Sequence, residues 1–91
     1  MAKKRDRLEI IYTILSIIKE RDNSIKKTPL LRYTNISSQS FGEYYNELVD
    51  KDLIREVSDR KGKVYVTLTD KGFNFLSKYS LIRNFIDEFE L

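Results

Sequence analysis

Ninety-one residues, 41% of them hydrophobic, allow one domain around one modest core and leave no room for a separate catalytic domain. Without a cysteine or a histidine the chain lacks disulfides, thiolate zinc sites and the usual general base, so no enzyme activity, metal, cofactor or small-molecule ligand is expected. Seventeen Lys and Arg against fourteen Asp and Glu leave a net charge of +3, so the placement of charge says more than its sum.

Residues 1–7 carry four basic side chains and one acidic one and read as a basic N-terminal arm. Their charge is that of a signal-peptide start, but Asp6, Arg7 and Glu9 interrupt it and no small-residue cleavage site follows the apolar run. That run, Ile10 to Ile18, is broken by Tyr12, Thr13 and Ser16 and falls far short of the ~20 residues a membrane span needs. A cytoplasmic chain with no membrane partner is the expectation.

The spacing predicts a first helix from Lys4 or Arg5 to Glu20 or Arg21, with Leu8, Ile11, Leu15 and Ile18 in one apolar stripe and Ile10, Ile14 and Ile17 in a second. Two stripes need two covers, so the second is expected to meet the C-terminal helix or another subunit. Asp22-Asn23-Ser24 signals a turn, and Ser24 to Lys26 are expected as a short strand beside a later hairpin. Thr28 as cap and Pro29 as first residue open a brief second helix, about Pro29 to Tyr33. Thr34-Asn35-Ile36 makes the next turn, since Asn35 tolerates a left-handed backbone.

Ser37 or Ser38 caps a third helix that runs to about Lys51, with Phe41, Tyr45, Leu48 and Val49 facing the core. Leu53 to Val57 and Lys63 to Leu68 are the strands of a hairpin, because Val64, Val66 and Leu68 alternate with Tyr65 and Thr67. Asp59-Arg60-Lys61-Gly62 turns it. Thr69 caps a last helix starting at Asp70, where an acidic side chain suits the helix dipole. Along that helix Phe75, Tyr79, Ile82, Ile86 and Phe89 recur at intervals of four and three, a two-heptad seam that points to self-association.

The order helix, short strand, two helices, hairpin and helix is that of a winged helix-turn-helix, α+β and mostly α, in one domain over residues 1–91 with residues 70–91 as a C-terminal dimerisation helix. Double-stranded DNA is the expected partner. Ser37, Ser38, Gln39, Ser40 and Tyr44 lie on the exposed start of the candidate recognition helix, where small polar residues can approach a DNA backbone and Gln39 can read adenine. Arg60, Lys61 and Lys63 at the wing, and Lys26, Lys27 and Arg32 around the second helix, are candidate phosphate contacts. Glu43, Glu47 and Asp50 count against deep insertion of the third helix, because carboxylates repel phosphate.

AKK at Ala2 to Lys4, LEIIYTIL at Leu8 to Leu15, the junction from Asn35 to Ser37, Gly42, Tyr44 and LTDKG at Leu68 to Gly72 together resemble the small archaeal winged-helix DNA-binding proteins of the 10a type. The likeness covers about residues 2–76. It implies a homodimer joined by an antiparallel coiled coil of C-terminal helices, with Ser38, Gln39, Tyr44, Arg60 and Lys61 on DNA and Phe75, Tyr79, Ile82 and Ile86 in the seam. It also implies a transcriptional regulator or nucleoid-associated protein of an archaeon, or of an archaeal virus or plasmid. The rival expectation from another class is a winged-helix module that meets a protein through the acidic third helix and the wing and does not bind DNA.

Overall fold

A computed structural model describes residues 6–90. Its elements are α1 (Arg7–Glu20), α2 (Lys27–Thr34), α3 (Ser38–Asp50), β1 (Ile54–Ser58), β2 (Val64–Leu68) and α4 (Asp70–Glu88). Residues 1–5 of the expected basic arm lie outside the described residues.

Local chemistry sets most of the boundaries. α1 starts later than the spacing implied because Asp6, in extended backbone, accepts from the Glu9 amide at 2.8 Å and so caps the first turn. Asp22 and Asn23 both take positive φ and reverse the chain, and the Asn23 side-chain oxygen accepts from the Leu68 amide at 2.6 Å. The short strand expected at Ser24 to Lys26 shrinks to a single bridge, in which Ile25 and Val66 exchange backbone hydrogen bonds of 3.2 and 2.7 Å.

α2 differs from expectation at its start. Its cap is Lys26, with no side-chain cap bond, and Thr28 lies inside the first turn with Pro29 after it. Proline is tolerated anywhere in that turn because its amide would have no helical acceptor. Asn35, at φ 57°, ends the helix in the left-handed conformation. Ser37 then caps α3 by accepting from the Ser40 amide at 3.1 Å.

Phe41, Tyr45 and Leu48 of α3 enter the core as their spacing requires, but Val49 is 40% exposed. One residue past Leu48 is a step of about 100° around the helix, which carries Val49 off the buried face. The core also takes Ile11, Ile14, Leu15 and Ile18 of α1, Leu30, Leu53, Ile54, Val66, Leu68 and Leu76. Ile14 has no exposure at all, so it belongs to the core of the single chain and not to a dimer interface; Ile10 and Ile17 are half-buried against the same core. Leu8, expected to be covered, is 48% exposed at the start of α1.

The wing is a two-stranded antiparallel hairpin in which Ile54 pairs with Leu68, Glu56 with Val66 and Ser58 with Val64. Val64 is exposed although Val66 and Leu68 are buried, because the outer end of the hairpin passes beyond the helices. Asp59 organises its tip: the carboxylate accepts from the amides of Lys61 and Lys63 at 2.8 and 2.9 Å, and Gly62 supplies φ +82°.

Thr69 caps α4 by accepting from the Gly72 amide and donates its hydroxyl to the Asp52 carbonyl at 2.6 Å, fastening the helix start to the end of the α3 turn. The first half of α4 packs on α1, with the rings of Tyr12 and Tyr79 5.0 Å apart and Phe75 against the core. From Leu81 onward every described residue of α4 is exposed. No helix of the described residues is long and apolar enough to cross a membrane.

Candidate nucleic-acid interface

The start of α3 presents the polar residues that the sequence singles out. Ser37, Ser38 and Gln39 are exposed, whereas Ser40 and Tyr44 are half-buried. Ser40 and Tyr44 line a shallow cleft of about 290 Å³ with Arg7, Glu43 and Glu47, and the Tyr44 ring leans on the core. The Ser37 hydroxyl is committed to the helix cap, and Ser38 and Gln39 are the exposed polar side chains of the first turn.

All six candidate phosphate-binding cations are exposed. Among the described residues the ion pairs are Arg7 with Glu47 and Lys51 with Glu47, the latter at 2.7 Å, so Lys26, Lys27, Arg32, Arg60, Lys61 and Lys63 face no carboxylate partner there. Glu47, in contrast, is held by two cations. The acidic character of α3 is therefore weaker than a count of its carboxylates implies, with Glu43 and Asp50 carrying what remains.

Two of the lysines rest on aromatic rings. Lys27 Nζ lies 4.4 Å from the centroid of Tyr45, and Lys26 Nζ 5.9 Å from that of Tyr65 on β2. Cations over tyrosine faces are held electrostatically without losing their charge. These two lysines thus stand between α2, α3 and the wing rather than at a free helix end.

Three relationships escape a reading of the sequence. The Tyr45 hydroxyl donates to the Glu56 carboxylate, joining the middle of α3 to β1. Burial first, and then Glu56 itself, push the Tyr45 phenol well above its ordinary value, so it remains a donor. Arg7 reaches Glu47 from α1, and Arg21 stacks on Tyr33 at 4.3 Å. A buried tyrosine requires a hydrogen-bond partner, which is the one signal the sequence offers; the partner's identity depends on how the wing packs.

The geometry agrees with known proteins. A family described as winged helix-turn-helix matches residues 4–87. An uncharacterized protein of Methanocaldococcus jannaschii is 36% identical over 75 residues, which cover 82% of this chain and 32% of that protein, so the chain spans about a third of its relative's length. F93 from STIV, a winged-helix DNA-binding protein, superposes with a TM-score of 0.71 at 22% identity, over 91% of this chain and 92% of that one. The PcaV transcriptional regulator from Streptomyces coelicolor gives a TM-score of 0.74 at 15% identity, over 87% of this chain and 59% of that one. At these identities the two structures share the fold.

Proposed function

The chain belongs to the winged helix-turn-helix family, and on that premise we propose that it is a homodimeric double-stranded DNA-binding protein acting as a transcriptional regulator. The observation that carries this reading is the division of charge: among the described residues six exposed cations at or within α2 and on the wing have no carboxylate partner, while the central acid of α3 is neutralised within the chain. Lysine and arginine in that state neutralise DNA phosphates and release the counterions condensed on them, which is the main source of affinity for duplex DNA.

A regulator also needs a reader of base edges. Gln39, exposed in the first turn of α3, has an amide whose oxygen can accept from adenine N6 and whose NH2 can donate to adenine N7 in the major groove. A nucleoid-architectural protein would need only phosphate contact and deformable DNA.

Dimerisation is supported by Leu81, Ile82, Phe85, Ile86 and Phe89, five large apolar side chains left exposed to water along one stretch of chain. Two linked recognition helices would bind paired half-sites more tightly than one.

Titration with random duplex at several salt concentrations tests the reading. Affinity that falls steeply with salt supports DNA binding; binding that is absent even at low salt overturns it in favour of a protein-interaction module. Selection from a random duplex pool separates the roles, since an enriched palindrome marks a regulator and its absence an architectural protein.

A further inference from the structure

Five residues form a closed circuit through every element of the proposed interface. Tyr45 of α3 donates to Glu56 of β1, Glu56 stands opposite Val66 of β2, and Val66 bridges to Ile25 in the segment before α2. Two residues on, Lys27 opens α2 and lies over the face of the same Tyr45 ring. Beyond Ile54 the whole of β1 is exposed, so the Tyr45 hydroxyl supplies the side-chain hydrogen bond that ties this strand to α3.

From this circuit we infer that Tyr45 and Glu56 are positioning residues for DNA binding, which fix the angle between wing and α3 so that the wing cations and the first turn of α3 reach one duplex together. The inference rests on the DNA-binding reading above and adds to it the device that sets the geometry. Tyr45 is 2% exposed and its ring packs on Phe41 with centroids 5.7 Å apart, so its hydroxyl direction is dictated by the core. Glu56 is exposed and precedes the turn at Asp59 by three residues. At about 3.3 Å per residue the tip lies roughly 10 Å beyond the tether, and a swing of about ten degrees there would move Arg60 and Lys61 by about 2 Å. That displacement is enough to break a direct hydrogen bond to phosphate.

The role is read from coupling. Duplex affinity is measured for the full chain, for Tyr45→Phe, for Glu56→Gln and for Glu56→Ala, each with and without the double substitution Arg60→Ala and Lys61→Ala, alongside thermal melting. In the otherwise unaltered chain the wing substitutions are expected to weaken binding roughly tenfold at moderate salt. In Tyr45→Phe and in Glu56→Ala the same substitutions should cost about threefold or less, because a wing that is no longer held contributes less to lose. Glu56→Gln still accepts from the hydroxyl and should keep the full wing effect, although its lost negative charge raises affinity throughout.

An equal wing effect in all backgrounds would show that the pair serves stability alone and would overturn the inference while leaving DNA binding intact. If Tyr45→Phe does not fold, Glu56→Ala decides the matter from the exposed side of the bond. Absence of salt-dependent duplex binding by the unaltered chain would instead overturn the functional reading itself, and this inference with it.

Discussion

The Arg7 guanidinium, in the first turn of α1, is paired with the Glu47 carboxylate on α3, and Lys51, the residue that caps the end of α3, shares the same carboxylate. Arg7 therefore acts on the electrostatics of α3 from a different element. Removing it should expose a negative charge beside Ser40 and Tyr44. Arg7→Ala is expected to weaken duplex binding, Glu47→Gln to strengthen it, and the melting temperature to change little, because a pair this exposed is worth only about 0 to 1 kcal/mol. Isotherms at low salt check the direction; affinity unchanged in both variants would separate this pair from the interface.

The wing and Gln39 should divide affinity from specificity. Arg60→Ala with Lys61→Ala is expected to weaken binding to every duplex alike and to flatten log K against log salt by roughly 0.9 for each phosphate that is no longer neutralised. Gln39→Ala should alter preference among sequences more than overall strength, because base-edge contacts carry the sequence information. An unchanged salt slope would remove the wing from the interface, and unchanged preference would remove Gln39 from readout.

Tyr45 gives a pH dependence whose sign follows from its environment. Burial and the Glu56 carboxylate raise its folded pKa above the ordinary value near 10, so the folded chain holds this proton more tightly than the unfolded chain. Its contribution to stability is complete below about pH 10 and is lost as the pH rises through the raised folded value. Melting curves between about pH 8 and pH 11 should thus decline less steeply in Tyr45→Phe than in the unaltered chain, at about pH 10 and above. Parallel curves would mean that the phenol is not perturbed by folding.

Gly72 is expected to resist even a methyl group. A Cβ there would fall on the Leu53 carbonyl, which is backbone and cannot turn aside, at the place where the start of α4 meets the connection between α3 and β1. Gly72→Ala should cost about 1 to 3 kcal/mol by overpacking, despite the better helix propensity of alanine. A stabilised variant in chemical denaturation would contradict this close approach.

Features that depend only on neighbours along the chain are legible in the residues themselves. Asn35 in its left-handed turn, Ser37 and Thr69 as caps and the tip from Asp59 to Gly62 all lie where local chemistry puts them. Less legible is the start of α2, since Thr28 is a good cap by type while the chain geometry places the cap at Lys26. Ile14 shows a different limit: a second apolar stripe says that a helix has two covers but not whether the second comes from the same chain, and here the fold itself buries Ile14. For the candidate site, residue chemistry identifies the exposed cations, but Lys27 on Tyr45, Tyr45 on Glu56 and Arg7 on Glu47 join distant segments and follow only from the packing.

The outer half of α4 should hold two chains together. Ile82 is 54% exposed and Ile86 39%, and Phe85 and Phe89 sit ring to ring at 4.8 Å on the same stretch of helix. Phe75 and Tyr79, the inner members of the seam, already pack within the chain, so the contact between copies is expected to centre on Ile82, Ile86 and Phe89. Burying such side chains is worth about 1.5 to 3 kcal/mol each, and several together can outweigh the cost of association. Sedimentation at tens of micromolar should therefore find about twice the chain mass of 10.8 kDa. Ile82→Asp or Ile86→Asp should yield a folded monomer, because neither side chain belongs to the core and a buried unpaired carboxylate opposes the dimer alone. Affinity for a two-half-site duplex should fall with dimerisation, while affinity for a single half-site changes little. A monomer in the unaltered chain would end this assignment, as would variants that unfold outright while simple dilution of the unaltered chain leaves a folded monomer.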